Sequence, residues 1–491
     1  MGILRCGVLL ILLLPIATHS YNLATSYAHA RDVRALEGHT AALPLYQNIL
    51  SRNLKDRTAA SFIAVNEDTP VLQDKACRCS GSDDVTRIRS MQKVLFESGF
   101  TRKGVADLFG IDDEKCFVAG PIYVRPVVAG TDCSGPLSTP DSPLKCLVKM
   151  FLLGFCESRA VLESVFRDIE IIDLLLELGL AFPYSSIHTC YSEIIVPYVQ
   201  IFPMDVPARA NGGHNDSDQD LEHLFFVTDA HPNILSSTTV GIKGDGAVMY
   251  IGPDSLALVQ HMPPLSPASG RPTRVLDLCC GSGIQAITTL AMISSIDPMV
   301  EATCVDINER ALRFTRFNSI LNGFSERVTL QIGDLSQLVD KDNLLLCDLK
   351  KRSNTFDILL SNPPFLPVPA FDENSEVIAN IARRHGYFSD GGSNGELILQ
   401  ITLQICSRLV NNNSFIGIVS EFMNPGGTLR EKLKRWWNQQ APLLLTATGI
   451  LFTNEYPLSG EEYATRRAAN DAEAGQWVNH LKQMEVSIVL M

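Results

Sequence analysis

Val275-Leu276-Asp277-Leu278-Cys279-Cys280-Gly281-Ser282-Gly283 is the stretch that decides the fold of this 491-residue chain. Its apolar start reads as a buried strand, and Gly281 and Gly283 allow a tight turn into a helix amino terminus, where backbone approaches a ligand closely. A second stretch, Ile358-Leu359-Leu360-Ser361-Asn362-Pro363-Pro364-Phe365, also stops a buried strand at a loop. That loop carries a carboxamide, two prolines and an aromatic ring.

The glycine turn alone does not choose its ligand. Gly281-x-Gly283-x-x-Ala286 satisfies the dinucleotide fingerprint, and Asp306, 23 residues beyond Gly283, suits ribose hydroxyls in either NAD or S-adenosylmethionine. Three features weigh against NAD. Asp277 stands where it can face the cationic amino group of a methionine-like ligand, and beside a pyrophosphate it would be repulsive. Asp334 follows a further strand and is placed to accept from an adenine amino group. The Asn362–Phe365 loop has no evident use in a nicotinamide enzyme. Cys279, Ile307 and Leu335 flank these positions and are counted with the cofactor-binding residues.

Asn362-Pro363-Pro364-Phe365 has its own logic as the catalytic loop. A planar amide or amino nitrogen is a poor nucleophile because its lone pair is delocalised. If the Asn362 side-chain oxygen and the Pro363 carbonyl accept its two hydrogens, that pair is localised. Pro363 and Pro364 stiffen the loop, and Phe365 offers a face for stacking a base or amide plane. A methyl group then moves in line from the sulfonium, without a strong base. The plainer readings are a turn after a strand for Asn-Pro-Pro and a helix-terminal acid for Asp306. An NAD-dependent oxidoreductase and a catalytically idle scaffold are the competing functions.

With those residues in order, the part from about 245 to 450 resembles the class I methyltransferase fold, specifically the N-methyltransferases that include HemK-type glutamine methyltransferases and ribosomal-RNA base methyltransferases. Tyr250-Ile251-Gly252-Pro253-Asp254-Ser255 lies where that group has a cofactor-contacting segment. Phe388-Ser389-Asp390-Gly391-Gly392-Ser393-Asn394-Gly395 resembles the Asp-Gly-Gly loop of HemK-like enzymes. The front helices with Leu152-Leu153-Gly154 are similar to those of a two-domain bacterial methyltransferase family. HemK-type enzymes usually end the catalytic motif in tyrosine; Phe365 is commoner in the ribosomal-RNA enzymes. The resemblance implies S-adenosylmethionine as cofactor. It implies a planar nitrogen as acceptor, by preference on an RNA base, alternatively a glutamine of a protein such as a release factor.

Composition sets outer limits. With 41 basic against 54 acidic residues, the net charge of −13 excludes diffuse attraction to nucleic acid, though not a local basic rim such as Arg383, Arg384 and His385. The 13 cysteines lack Cys-x-x-Cys spacing, so neither a metal site nor a disulfide framework is expected. Arg5 followed by the apolar run Gly7–Ile16 and small residues reads as a signal peptide over 1–20, too short to span a bilayer. Residues 21–83, rich early on in Ser, Thr, Ala and Arg, read as targeting sequence and linker. Import into a complex plastid fits both pieces, and secretion fits the first.

The rest divides in two. Residues 84–205 show helical periodicity at Asp84–Leu95, Thr101–Phe109, Leu144–Leu153, Val161–Phe166 and Ile169–Leu178. Two β-rich runs, Ile187–Tyr191 and Ile194–Ile201, then suggest a winged-helix-like module, for substrate recognition or for packing alone. Residues 206–239 read as a linker with a lead-in strand. Residues 240–491 read as an α/β, Rossmann-like domain with a seven-stranded, mostly parallel sheet. Its strands are Arg274–Leu278, Ala302–Asp306, Val328–Ile332, Phe356–Ser361 and Phe415–Ser420, with Leu443–Leu451 and Val486–Met491 last. Its helices are Ile284–Ser294, Glu309–Leu321, Glu396–Leu409 and Thr428–Trp437. For the two motifs to meet, Val275–Leu278 and Ile358–Ser361 must be neighbouring strands.

Overall fold

The computed structural model describes residues 82–110, 141–152, 157–167, 169–184, 193–197, 199–207, 221–229, 248–260, 262, 270–338, 349, 355–369, 388–424, 429–438, 457–468 and 471–490. The leader, the strand expected at Leu443–Leu451, the Ile187–Tyr191 run and the rim residues Arg383–His385 lie outside them.

The front part begins with α1 (Ser82–Glu97) and α2 (Arg102–Phe109), whose amino end is capped by Thr101 Oγ1 accepting from Gly104 N. Next come α3 (Pro143–Leu147), continued as one buried π-turn, then β1 (Glu157–Ser158), α4 (Arg159–Phe166) and α5 (Ile169–Glu177). Gly179, at φ 68°, stops that last helix in a left-handed conformation. The strands β2 (Ala181–Tyr184) and β3 (Ile194–Pro197) complete an antiparallel sheet ordered β1-β3-β2. β3 pairs with β1 on one side and with Ala181–Tyr184 on the other, and the run Ile187–Tyr191, expected as its hairpin partner, lies outside the described residues.

A long antiparallel hairpin follows, β4 (Gln200–Pro207) against β5 (Leu221–Thr228). In the catalytic part α6 (Pro253–Gln260) precedes β6 (Arg274–Leu278), α7 (Ile284–Ser294), β7 (Glu301–Asp306) and α8 (Glu309–Leu321). Then come β8 (Val328–Ile332), the single turn α9 (Leu335–Leu338), β9 (Phe356–Ser361), α10 (Leu397–Leu409) and β10 (Val410–Ile418). The five strands form one parallel sheet ordered β10-β9-β6-β7-β8. Val275 and Ile358 are directly paired, so the two motifs sit side by side at the point where strand order reverses.

Two asparagines bolt the hairpin onto this domain. Asn318 Oδ1 accepts from Val227 N at 2.8 Å, and its Nδ2 donates to Val227 O at 2.9 Å and to Ser282 O at 2.8 Å. Asn322 repeats the exchange with Phe225, at 2.9 and 2.8 Å. One helical turn rises about 6 Å over four residues, and two strand residues span nearly the same length, so i,i+4 amides match alternate strand residues. The free edge of β5 is thereby satisfied and tied to the glycine turn.

Buried Arg310, on α8, forks onto Asp229, which also accepts from Val248 N at 2.9 Å. Arg310→Ala should cost about 3–5 kcal/mol in chemical denaturation, because it leaves a buried carboxylate without its cation.

The remaining elements are β11 (Phe422–Met423), α11 (Leu429–Asn438), β12 (Leu458–Ser459), α12 (Gly460–Arg467), α13 (Asp471–Gln483) and β13 (Ile488–Leu490). The last strand is antiparallel, but it pairs with β11 and β12 in a separate three-stranded sheet, so it does not extend the main sheet, which has five strands among the described residues. The cause is a third apolar core, built on Tyr463, Trp477, Leu481 and Val489, on which β13 closes.

Candidate active site

The carboxyl ends of β6, β7, β8 and β9 open onto one cleft, where an open α/β sheet binds its ligand. Of the residues singled out in the sequence, Cys279, Gly281, Asp306, Ile307, Asp334, Leu335, Asn362 and Pro364 line it. Asp277, Gly283, Pro363 and Phe365 are not among the lining residues.

The floor is the turn after β6. Cys279, Gly281 and Gly283 have φ of 59°, 54° and 78°, so three left-handed residues in five reverse the chain into α7. Gly283 is required twice over. Its φ is positive, and a Cβ there would lie 2.6 Å from Thr315 Cγ2. Thr315 in turn donates from Oγ1 to Gly281 O at 3.0 Å, holding the turn from below. Burial pushes the Cys279 and Cys280 thiols well above their ordinary range, so neither is a ready nucleophile.

Asp306 ends β7 and fixes the turn from the side. Its Oδ2 accepts from Gly281 N and its Oδ1 from Asn308 N, both at 2.9 Å, leaving lone pairs on each oxygen for further donors. Desolvation raises its carboxyl. Ile307 follows at 49% exposure, an apolar surface standing in the cleft with Leu335. Asp334 caps α9, its Oδ1 accepting from Ser336 N and Oγ at 2.9 and 2.7 Å.

Asp277 lies within β6, near the strand end and behind the glycine turn, and does not line the cleft. It is 0% exposed within β6, and its Oδ2 accepts from Ala286 N at 3.1 Å inside the first turn of α7. Its Oδ1 is buried without a hydrogen-bond partner. Desolvation first, with the neighbouring Asp306 carboxylate adding, pushes the Asp277 carboxyl up to about 8. An unfolded aspartate titrates near 3.9, so the folded state holds this proton more tightly. The Asp277 contribution to stability is therefore complete below about pH 4 and lost as pH rises through about 8. We expect the urea midpoint of the ligand-free protein to fall between pH 6 and pH 8.5, about 2.5 units across that rise. The fall should be smaller in Asp277→Asn.

Across the turn stands Asn362. Its Nδ2 donates to Asp254 Oδ2 at 2.9 Å and to Ser255 Oγ at 3.2 Å, and its Oδ1 is buried without a partner. The loop behind it is braced by the segment around Asp390. Leu366 N donates to Ser389 O at 2.8 Å and Gly391 N to Leu366 O at 2.9 Å. A Cβ on Gly391 would lie 2.7 Å from Phe365 Cα, so only glycine lets the two loops touch. Phe365 packs half-buried on the third apolar core, and the aromatic residues lining the cleft with Asn362 and Pro364 are Tyr250 and Phe388. Asp254 and Ser255 are the partners of Asn362 that sequence reasoning missed, since 108 residues separate Asp254 from Asn362 and nothing in either stretch announces the other.

A glycine turn, a strand-end acid and an Asn-Pro-Pro-Phe loop thus meet at adjoining ends of a Rossmann-like parallel sheet. Residues 270–440 match the model of a methyltransferase domain. A release factor glutamine methyltransferase of Rhodopirellula baltica is 30% identical over 149 residues, 30% of this chain and 45% of that protein. Ribosomal RNA small subunit methyltransferase C of Shewanella oneidensis is 32% identical over 146 residues, 30% of this chain and 34% of that protein. Ribosomal protein uL3 glutamine methyltransferase of Bradyrhizobium diazoefficiens is 39% identical over 94 residues, 19% of this chain and 24% of that protein. The chain thus matches less than half the length of each of these relatives.

Proposed function

We propose that this protein is an S-adenosylmethionine-dependent N-methyltransferase acting on a planar nitrogen. The observation that carries the reading is the buried, unpartnered Asn362 Oδ1 beside the glycine-turn cleft. A carbonyl oxygen buried without a donor is costly, and an incoming N–H satisfies it.

The cleft suits the cofactor on the same kind of ground. Asp306 keeps lone pairs for ribose hydroxyls, Asp334 stands at the adenine end with Leu335, and Ile307 supplies apolar surface for the base. A cationic amino group bound at the turn would draw the Asp277 carboxyl, neutral below about pH 8 in the empty protein, into its charged form. Bound there, the cofactor supplies an electrophilic methyl group on a sulfonium. The chain's part is to hold the acceptor nitrogen in line, with Asn362 Oδ1 and the Pro363 carbonyl accepting its hydrogens and localising its lone pair. The proton leaves to water once the nitrogen has become cationic.

For the acceptor, the surfaces favour a side-chain carboxamide of a protein. In a nucleic-acid-reading winged helix, α5 would enter the groove. Here its exposed positions are Glu170, Asp173 and Glu177, and it carries neither Lys nor Arg. Arg159 and Arg87, which pair with Asp173 and Glu177 at 2.9 and 3.6 Å, are already committed. Such a face repels phosphates. The relatives named as glutamine methyltransferases are consistent with this reading. A nucleobase amine is the second reading, supported by Phe388 as a stacking surface in the cleft and by the ribosomal-RNA relative. Incubating the purified protein with methyl-labelled cofactor and a lysate, with and without ribonuclease, decides between them. Label on protein that survives ribonuclease is expected; label lost with ribonuclease moves the acceptor to RNA, and no label at all overturns the enzyme.

A further inference from the structure

Asn362 Oδ1 faces an acceptor only if something prevents the amide from flipping and presenting Nδ2 instead. The terminal torsion of asparagine is broad and roughly twofold, and the two orientations are almost the same shape. Packing cannot choose between them. Hydrogen-bond partners can. In this site the choice falls to Asp254, whose Oδ2 takes Nδ2 at 2.9 Å, with Ser255 Oγ as second partner at 3.2 Å. An ionised carboxylate only accepts, so it admits the NH₂ group and repels the carbonyl oxygen. An amide whose NH₂ donates to an anion also carries a more negative oxygen at its other end, which strengthens it as an acceptor.

The surroundings of Asp254 act on its charge in both directions. It is half-buried, and desolvation, the larger effect, raises its carboxyl while the Asn362 bond and Arg467 act in the opposite direction. Arg467, on α12, is ion-paired with buried Glu421, which also accepts from Tyr463 Oη at 2.6 Å. One cation thus acts on two carboxylates, half-buried Asp254 at the start of α6 and buried Glu421 after β10.

We propose that Asp254 is a positioning residue for methyl transfer, fixing the Asn362 amide with its oxygen toward the acceptor nitrogen. The inference rests on the N-methyltransferase reading above. Asp254 is not among the residues lining the cleft, and acts through Asn362.

The test compares Asp254→Ala, Asp254→Asn, Asn362→Ala and the Asp254→Ala/Asn362→Ala double variant in the full chain. Three quantities are read: single-turnover transfer from labelled S-adenosylmethionine to the fraction labelled in the lysate experiment, calorimetric affinity for S-adenosylhomocysteine, and hydrogen exchange of the Asn362 side-chain amide in asparagine-labelled protein. Asp254→Ala should slow transfer about 30- to 300-fold, with affinity changed less than about twofold and amide exchange accelerated. Asp254→Asn keeps an acceptor oxygen and should recover about tenfold of the loss. The double variant should be no slower than Asn362→Ala alone. Transfer by Asp254→Ala within about threefold of wild type overturns the proposal, as does a double variant slower by the product of the single effects. If Asp254→Ala does not fold, Asp254→Asn with wild-type rate and wild-type amide exchange overturns it equally. Failure of the underlying reading looks different: there Asn362→Ala itself retains transfer.

Discussion

Asn362→Ala yields a protein that folds, binds S-adenosylhomocysteine within about threefold of wild type, and transfers methyl about 10³-fold more slowly. The split follows from where the side chain points. Its Nδ2 is spent on Asp254 and Ser255, so the one group left for a substrate is Oδ1. That oxygen matters little until a nitrogen begins to pyramidalise. Its loss therefore falls on the transition state and leaves the cofactor alone. Stability should fall by about 1–3 kcal/mol, since alanine removes the orphaned oxygen but leaves Asp254 without its donor. Single-turnover transfer beside calorimetry measures both halves. Unchanged transfer would reduce Asn-Pro-Pro to a turn and point to a scaffold.

The second large effect is on binding. Asp306→Ala should weaken S-adenosylhomocysteine by about 100-fold, close to 3 kcal/mol, because two kinds of interaction go together. One is the pair of backbone bonds at 2.9 Å to Gly281 and Asn308, which hold the turn and the start of α8 in register. The other is the pair of ribose hydroxyls the same oxygens can still accept. Asp306→Asn separates them, since its oxygen keeps one backbone acceptor while its NH₂ opposes Gly281 N–H; its affinity should lie between the two. A calorimetric signal from NAD in place of S-adenosylhomocysteine would transfer the protein to the oxidoreductase class.

How far the chain could be read depends on the range of the forces involved. Strands Arg274–Leu278, Val328–Ile332 and Phe356–Ser361 and helices Ile284–Ser294 and Glu309–Leu321 have in the structure the bounds their sequences suggest. Each is an apolar-periodic run stopped by Gly, Asn, Asp or Pro, and that signal is local. Neighbourhood of the two motifs was legible too, because parallel strands joined by crossover helices leave few orders open. Other features were not. Asp277 reads as an acid at the strand end, facing the ligand, and its Oδ2 accepts from Ala286 N inside α7, a contact that no spacing reveals. Phe365 looked like a stacking surface and packs on a core built from residues about 90 to 125 positions later, leaving Phe388 in the cleft.

The sequence by itself therefore determined the central strands, the glycine turn and the Asn-Pro-Pro-Phe loop at the end of β9, because hydrophobic period, glycine conformation and proline stiffness act within a few residues. Only the tertiary structure decided which way the Asn362 side chain faces and what stands behind it. Asp254 reaches Asn362 across 108 residues, Asn318 and Asn322 complete β5 across more than 90, and Arg467 reaches Glu421 across 46. A hydrogen bond or ion pair is set by position in space to within a few tenths of an ångström. Positions that far apart in the chain acquire such a relation only once the core has closed.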